Sequence, residues 1–315
     1  MAFINALPGA LAQGLIWGIM AIGVYITYKI LDVSDLTVDG SFATGGAVFA
    51  VLMIAGWNVW LAMLAALIVG MLAGLVTGFF HTSCGIPAIL SGILTQLGLW
   101  SVNLAIMGWS SNKAMNLNKV ELLVSMRHIQ EVKAGLLPFF RHPIVVVAVV
   151  TAVIIGLLYW FFGTERGASI RATGANVNMA RAQGINTNGN KVLGLMIGNG
   201  LVALAGCLWT QYFGFAEINM GRGAIVIGLA AIIIGEVTFG KIFANFALKL
   251  LAVSLGSVIY YVVIQVVIST MDINTNMLKL ISALIVAAFL AVPYWKNRYL
   301  PKKKKAAARK EKKDA

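Results

Sequence analysis

The sequence is poor in charged residues, and this scarcity sets the class of protein. Only 11% of its 315 residues are Asp, Glu, Lys or Arg, whereas 60% are hydrophobic. A soluble domain carries roughly 25% charged residues, so the composition excludes an ordinary soluble globular fold. The chain is therefore expected to be an all-α, polytopic membrane protein.

Cysteine, histidine and nucleotide-binding motifs are also scarce or missing, which excludes several kinds of chemistry. Two cysteines, Cys84 and Cys207, make no disulfide framework and are expected to be packing residues. The three histidines are scattered, without metal-ligand spacing or a nucleophile–base pair. The sequence has no Gly-rich phosphate loop ending in Lys and Ser or Thr, so any ATP hydrolysis must come from another subunit. No metal or cofactor is expected in this chain.

Long apolar runs divide the chain into about nine predicted membrane spans, within a range of eight to ten. A span needs about 20 apolar residues. The second run is shorter, so it is either a broken or re-entrant helix or one that extends back to Asp39. The predicted spans are residues 11–31, 43–56, 58–80, 87–108, 143–162, 191–210, 223–239, 243–269 and 277–295.

These spans form one predicted transmembrane domain, residues 1–295, which two polar loops interrupt. Loop 109–142 follows the fourth span, and loop 163–190 follows the fifth. The tail, residues 296–315, holds 10 of the 24 Lys and Arg and is expected to be disordered. Because the net charge of +13 comes mostly from this tail, it does not argue for nucleic-acid binding.

The distribution of basic residues predicts the orientation of the chain in the membrane. Cytoplasmic segments carry an excess of Lys and Arg, so the basic tail is expected in the cytoplasm. An odd number of spans then leaves the N-terminus outside. This orientation puts 17 Lys and Arg inside and 7 outside, with loop 163–190 inside and loop 109–142 outside.

Residues 165–186, ERGASIRATGANVNMARAQGIN, form a polar, basic insert between two apolar spans. A short helix is predicted over residues 167–173, ended by Gly174 in the left-handed conformation. Asn176 is the predicted N-cap of a second short helix, which Gly184 closes. On charge alone, the insert could be an ordinary cytoplasmic loop.

The spacing within this insert forms a specific pattern: Gly, then Arg-Ala, Gly-x-Asn, Ala-Arg and Gly-Ile-Asn in register. This pattern resembles the cytoplasmic loop of ATP-binding cassette (ABC) importer permeases of the branched-chain amino acid/ribose class, and the resemblance extends over about residues 10–295. In that family the loop carries the coupling helix, which sits in a groove on the ATP-binding subunit. The resemblance implies that the ATPase-coupling residues here are Arg166, Arg171, Gly174, Asn176, Ala180, Arg181 and Gly184.

The resemblance also implies a function and a set of partners. The chain would be the permease subunit of an importer in a bacterial plasma membrane, moving a small solute, an amino acid, that a substrate-binding protein delivers. Separate ATPase subunits would hold ATP and Mg, and a second permease subunit would complete a homodimer in the lipid bilayer. The run DLTVDGSF is closer to a subgroup associated with tryptophan or tyrosine uptake.

Two other functions are open from the residues alone. An ion-coupled secondary transporter would need charged groups at mid-membrane, and the centres of the predicted spans are nearly free of them. A membrane scaffold without transport activity would tolerate substitutions such as Arg171→Glu in the insert, which an importer would not.

Asp39 and Ser41 are candidates for the translocation path at the start of the second span. They could cap that helix, because an Asp or Ser at a helix N-terminus satisfies free N–H groups and suits the dipole. They could also line the path, or contribute to an ion site with Asp32 and Asp35.

Two further spans carry polar residues that share a helical face. Such residues either hydrogen-bond between helices or line the path of the solute. The candidates are Thr95, Gln96 and Asn103 in the fourth span and Ser257, Tyr261 and Gln265 in the eighth.

Glycines also recur four residues apart in three predicted spans. In lipid, small residues let helix backbones approach closely. These stripes indicate either packing within the subunit or an interface between subunits. They comprise Gly14 and Gly18; Gly70, Gly74 and Gly78; and Gly194 and Gly198.

Overall fold

The structure, a computed structural model, describes residues 2–117, 120–135, 138–240, 242–243, 245–270, 280, 282–289 and 291. The predicted tail, residues 296–315, lies outside the described residues, as do nine of the nineteen residues of the ninth predicted span, 277–295. In chain order the elements are α1 (Ala2–Tyr25), which continues into a π-helical turn at Ile26–Ile30, α2 (Val38–Ile54), α3 (Val59–Thr82), α4 (Ala88–Ile106), β1 (Asn112–Ala114), α5 (Met126–Lys133), a 3₁₀ turn at Phe139–Arg141, α6 (Pro143–Gly163), α7 (Glu165–Ala175), α8 (Val177–Ala182), α9 (Thr187–Phe213), β2 (Phe215–Glu217), α10 (Ala224–Phe239) and α11 (Phe246–Thr270).

The described residues contain six helices that are long and apolar enough to cross a membrane. They are α1 with its π-helical turn, α3, α4, α6, α9 and α11, and each coincides with a predicted span. Two further predicted spans are the shorter apolar helices α2 and α10. An all-helical membrane fold is thus confirmed, whereas nine membrane-crossing helices are not reached within the described ranges.

Helices α1 and α9 form the inside of the bundle, and the other long helices surround them. In their most apolar stretches, 78% of the residues of α1 and 72% of those of α9 are buried. The corresponding share is 22–33% for α3, α4, α6 and α11. Large apolar side chains on these outer helices face outward, as lipid-facing surfaces require.

The glycine stripes pack helices within this one chain. A side chain added at Gly70, Gly74 or Gly78 of α3 would collide with the backbone or side chains of α9. Gly206 of α9 likewise lies directly against the backbone carbonyl of Phe42 in α2. The stripes therefore serve intra-subunit packing, the first of the two interpretations that the sequence allowed.

Loop 109–142 folds over one end of the bundle and is tied to it by a small sheet. Strand β1 in this loop pairs antiparallel with β2, with Lys113 opposite Ala216. Helix α5 is the only helical part of the loop longer than one turn in the described residues. At the opposite end, Cys84 is exposed after α3, so the expectation that it is a packing residue is wrong, whereas Cys207 is buried.

Candidate functional site

Two short helices, α2 and α10, begin inside the bundle instead of at its surface. Asn199 stands near the middle of α9, and residues on both sides of the start of α2, Asp35 and Ser41, hydrogen-bond to its side chain. At 17 and 16 residues, the two helices are about 26 Å and 24 Å long, less than the ~30 Å of a hydrocarbon core. The second predicted span is thus a helix that begins near mid-bundle, after the non-helical stretch 31–37.

Asp39 joins the N-termini of these two helices. It lies in the first turn of α2, and its carboxylate accepts hydrogen bonds from the backbone N–H groups of Gly223 (2.9 Å) and Ile225 (3.1 Å) at the start of α10. The expectation that Asp39 caps its own helix is wrong, because Thr37 occupies that cap. Asp39 instead satisfies free N–H groups of α10, and the positive ends of both helix dipoles face its negative charge.

A buried network of polar side chains holds the start of α2 against α9. The Asn199 Nδ2 atom donates to Asp35 Oδ2 at 2.6 Å, and its Oδ1 accepts from Ser41 Oγ at 2.6 Å. Asp35 Oδ1 accepts from the backbone N–H of Thr37 at 2.9 Å. Asp35 and Asn199 are both almost fully buried. Asp35 and Asp39 lie outside the predicted spans 11–31 and 43–56, yet the structure places Asp35 inside the bundle and Asp39 at the start of α2.

The same network continues sideways into α3 and α4 through three threonine hydroxyls. Thr37 and Thr77 lie 2.6 Å apart, and the Thr77 hydroxyl donates to Thr95 at 2.9 Å. Among the predicted path residues, Ser41 and Thr95 thus belong to this network. We call Asp35, Thr37, Ser41, Thr77, Thr95 and Asn199 the central polar network.

Beside the network lies a cavity of about 270 Å³, which we call the central cavity. It brings together three predicted path residues, Asp39, Gln96 and Asn103, with Trp100 and Arg222, which the sequence pattern did not indicate as path residues. The remaining lining residues are Gly40, Ala43, Leu97 and Ile218.

Asn103 is the most buried amide of this cavity. Its side chain is 1% exposed, and no group in the described part of the chain pairs with its Oδ1 atom. A buried polar atom without a partner costs about 1–3 kcal/mol. An orphaned amide at the wall of a cavity is typical of a position where a solute or water completes the hydrogen bonding.

The polar stripe of α11 lies elsewhere. The Ser257 hydroxyl donates to the backbone carbonyl of Gly14 in α1, and the Tyr261 ring packs against Trp17 at a centroid distance of 5.9 Å. Gln265 donates to Ser269 on its own helix. The structure therefore separates these three residues from the central cavity and joins two of them to α1.

The insert 163–190, called here the coupling segment after the role that its resemblance implies, packs on the end of α1 and the start of α9. Gly174 lies against the backbone carbonyl of Ile30, and Asn190 Nδ2 donates to Thr173 Oγ1 at 3.0 Å. Gly174 does not end a helix in the left-handed conformation, because α7 continues to Ala175. A glycine is needed here since a Cβ would overlap the Ile30 carbonyl.

The second half of the coupling segment folds as its sequence predicts. The Asn176 side chain caps α8 by accepting from the backbone N–H of Met179 at 3.0 Å, and Gly184 ends it with φ +75°. Ala180 is fully buried. Arg181 donates from Nε to Thr187 Oγ1 at 2.9 Å, which fixes α8 to the start of α9.

The surface of the coupling segment is basic and carries one large exposed apolar side chain. Arg166 and Arg171 are exposed. Met179, on α8, is 57% exposed, an apolar side chain on an otherwise polar turn. Within the described residues, no group of three or more His, Cys, Asp or Glu side chains could hold a metal ion.

Comparison with known proteins identifies the family of this bundle. A sequence model described as "Branched-chain amino acid transport system / permease component" matches residues 7–290. A tyrosine transport system permease protein of Clostridioides difficile (strain R20291) is 39% identical over 287 residues, 91% of each chain. An uncharacterized protein of Rickettsia prowazekii (strain Madrid E) is 33% identical over 283 residues, 89% of this chain and 95% of the relative.

A more distant relative is the autoinducer 2 import system permease protein LsrC of Salmonella choleraesuis (strain SC-B67), 26% identical over 224 residues, 70% of this chain and 59% of the relative. No solved structure matches. The polytopic helical fold and these matches agree on a transport subunit and not an enzyme. The chain belongs to the branched-chain amino acid transport system permease family and is a membrane-spanning permease subunit of an ABC importer.

Proposed function

We propose that this permease subunit imports an amino acid with an aromatic side chain, of which tyrosine is the first candidate. The observation that carries the proposal is the 39% identity, over 91% of both chains, with a tyrosine transport system permease protein. The central cavity is consistent with this solute, because it combines charged groups of both signs, Asp39 and Arg222, with the indole of Trp100.

We further propose that an ATPase subunit docks on the coupling segment. Arg166 and Arg171 offer exposed positive charge, and Met179 offers an apolar side chain that could fill a groove on the partner. Seven residues carry the coupling proposal: Arg166, Arg171, Gly174, Asn176, Ala180, Arg181 and Gly184. In this proposal Asn176, Ala180, Arg181 and Gly184 shape and hold α8, while Arg166, Arg171 and Met179 face the ATPase.

A short physical route connects this docking surface with the central cavity. Gly174 touches the carbonyl of Ile30, and Gly194 of α9 packs against Leu31. Leu31 begins the non-helical stretch that reaches Asp35 and Asp39. Movement of α7 would therefore press on the stretch that positions both carboxylates, so ATP-driven motion of the segment could open or close the cavity.

The orientation follows from the same proposal. The coupling segment shares one end of the bundle with Lys29 and Glu236, which pair at 3.0 Å, and with Lys191, which lies 3.4 Å from His81. This end would face the cytoplasm, and the start of α1 would lie outside. Loop 109–142, at the other end, would receive the substrate-binding protein.

A homodimer is the proposed assembly. Leu97 and Trp100, which form one side of the central cavity, are exposed on α4, so a second copy could close the cavity across a two-fold axis. Cysteine cross-linking tests this assembly: Leu97→Cys, in a background without Cys84 and Cys207, is expected to give a disulfide-linked dimer in membranes. Exclusive recovery of monomer under oxidation would argue against an axis at α4.

Transport assays test the solute and the energy source together. Cells that express the permease with its ATPase and binding protein are expected to accumulate labelled L-tyrosine. Uptake should stop when ATP is depleted and persist when a protonophore removes the proton gradient at constant ATP. Uptake that follows the proton gradient would instead support a secondary transporter.

Charge reversal at the coupling segment tests the docking surface. Arg171→Glu is expected to abolish co-purification of the ATPase while the permease inserts normally. Arg127→Glu, an equally exposed arginine in loop 109–142, is the matched control and should leave co-purification unchanged. Equal co-purification of both variants with wild type would remove the docking proposal.

A further inference from the structure

The central cavity has the chemistry of a binding site for a complete amino acid, including its ammonium and carboxylate groups. This inference rests on the proposed function, because it assumes that the permease carries amino acids. It goes further by assigning a role to each wall of the cavity. At about 270 Å³, the cavity lies just below the roughly 300–1,000 Å³ of pockets for drug-sized ligands, which suits a solute the size of one amino acid.

Arg222 supplies the positive wall. It lines the cavity just before the start of α10, and its guanidinium has no ion-pair partner in the part of the chain that the structure describes. A guanidinium can bind a carboxylate through two parallel hydrogen bonds. Arg222 also lies just before the positive end of the α10 dipole. The solute carboxylate is therefore expected here.

Asp39, Asn103 and Gln96 supply the acceptors on the other walls. Asp39 uses its two oxygens to accept two backbone hydrogen bonds, and a carboxylate has about four lone-pair sites. The Oδ1 atom of Asn103 is buried and has no partner among the described residues. An ammonium group has three donors and no acceptor, so it complements these oxygens.

Trp100 forms the apolar wall with Leu97 and Ile218. Its indole is 46% exposed on α4 and faces the same opening. Aromatic pairs attract each other beyond the effect of the area they bury, and an indole also attracts cations. This wall suits a large or aromatic side chain better than a small polar one.

We propose that the central cavity is a transient binding site for a zwitterionic amino acid during its passage. Arg222 would bind the carboxylate, Asp39 and Asn103 the ammonium group, and Trp100 the side chain. Because the carboxylate of Asp39 also holds the start of α10, occupation of the site would alter the junction of α2 and α10. Solute binding and helix position are thus linked at one residue.

The test uses the complete importer, this permease with its ATPase and binding protein, in proteoliposomes. Uptake of labelled L-tyrosine and ATP hydrolysis are measured on the same preparation. Arg222→Met and Asn103→Leu are expected to lower the amount of tyrosine moved per ATP by roughly tenfold or more, since each removes a hydrogen bond to a charged group. ATP hydrolysis stimulated by the binding protein should stay within about twofold of wild type, because the coupling segment is intact.

Matched variants distinguish the loss of solute binding from a general loss of folding or assembly. Arg222→Lys, which keeps the charge, is expected to recover most of the uptake. Trp60→Leu at the start of α3, a tryptophan that is 61% exposed and does not line the central cavity, should behave as wild type. Trp100→Leu should lower uptake of tyrosine more than uptake of a small amino acid. If Asn103→Leu fails to fold, the exposed residues Arg222 and Trp100 still decide the outcome.

The two proposals fail in different ways. Wild-type proteoliposomes that import an amino acid other than tyrosine correct the solute, and that amino acid becomes the probe for the variants. Wild-type import of no amino acid overturns both proposals. Wild-type import with an unchanged ratio of solute to ATP in Arg222→Met and Asn103→Leu overturns the cavity site alone.

Discussion

The inner and outer helices of the bundle differ in how much of their surface is buried. The inner helices are α1 and α9, and the outer helices are α3, α4, α6 and α11. The inner pair buries 72–78% of its most apolar stretch, whereas the outer four bury 22–33%. Inner helices depend on glycine contacts and paired polar groups, as at Gly206 and Asn199. Outer helices present bulky apolar side chains to the surroundings and tolerate open space at glycines such as Gly98 and Gly156.

This difference explains where function can lie in the bundle. Lipid supplies no hydrogen bonds, so polar groups in the interior must pair with one another or face a water-filled space. The central polar network satisfies its own groups, whereas the central cavity, lined by α2, the outer helix α4 and the residues before α10, leaves the Oδ1 atom of Asn103 unpaired among the described residues. The unpaired amide of Asn103 therefore supports the proposal that a solute binds at the wall of the central cavity.

The largest expected effect compares a tightly packed glycine in the inner helix α9 with a glycine next to open space in the outer helix α4. Gly206→Leu in α9 would drive a side chain into the Phe42 backbone and is expected to destabilise the protein by about 3 kcal/mol. Gly98→Leu in α4, with nothing within 4 Å of the added atom, should leave stability nearly unchanged. Thermal unfolding midpoints in detergent measure the contrast, and equal midpoints for the two variants would refute the division into inner and outer helices.

The next effect tests the central polar network. Asn199→Leu removes the partner of both Asp35 and Ser41 and leaves a buried carboxylate short of a donor, so a loss of about 2–3 kcal/mol is expected. Asn188→Leu, at an exposed position in the first turn of the same helix, should change stability by about 0.5 kcal/mol or less. The same detergent unfolding assay compares the two. A stable Asn199→Leu protein would mean that the network does not hold α2 against α9.

The smallest expected effect lies at the surface. Lys29 and Glu236 pair across the end of the bundle with side chains that are 49% and 42% exposed. Exposed ion pairs contribute little, so Lys29→Met should cost at most about 0.5 kcal/mol. A shift of the unfolding midpoint as large as that of Asn199→Leu would show that the exposure of a side chain does not predict its contribution to the free energy of unfolding in this protein.

Much of the fold could be predicted from the sequence because hydropathy has a direct physical origin. Apolar runs long enough to cross a bilayer can be identified without knowledge of packing, and eight of the predicted spans are helices in the structure. Local capping was also predictable where one side chain decides it, as at Asn176 and Gly184. Gly174 was misjudged because its conformation is helical and its role is a contact with Ile30, which lies far away in the sequence.

The candidate site was only partly predictable for a related reason. Gln96 and Asn103 could be identified as polar residues on one face of an apolar helix, and the structure brings both to the central cavity with Asp39. Trp100 shares a helical face with Gln96 and Asn103 at offsets 0, 4 and 7, a signal that a search for polar residues passes over. Arg222 reaches the cavity only because α10 begins inside the bundle, which no local pattern reveals. Asn199 carried an unused signal, since an Asn between two glycines in an apolar span is costly unless it is paired.

The central claim is that the coupling segment receives force from a cytoplasmic ATPase. It is tested most directly by determining on which side of the membrane the segment lies. Met179→Cys, with the exposed Cys84 replaced by Ser, is treated with a membrane-impermeant maleimide in intact cells and in inside-out vesicles. The parent protein is labelled in parallel. Its native Cys84, which follows α3 at the same end of the bundle as Lys191, is the reference site. Both sites are expected to react only in inside-out vesicles, and added ATPase subunit should protect Met179→Cys but not the reference. Labelling of Met179→Cys in intact cells would contradict the account, because a segment outside the cell cannot receive force from a cytoplasmic ATPase.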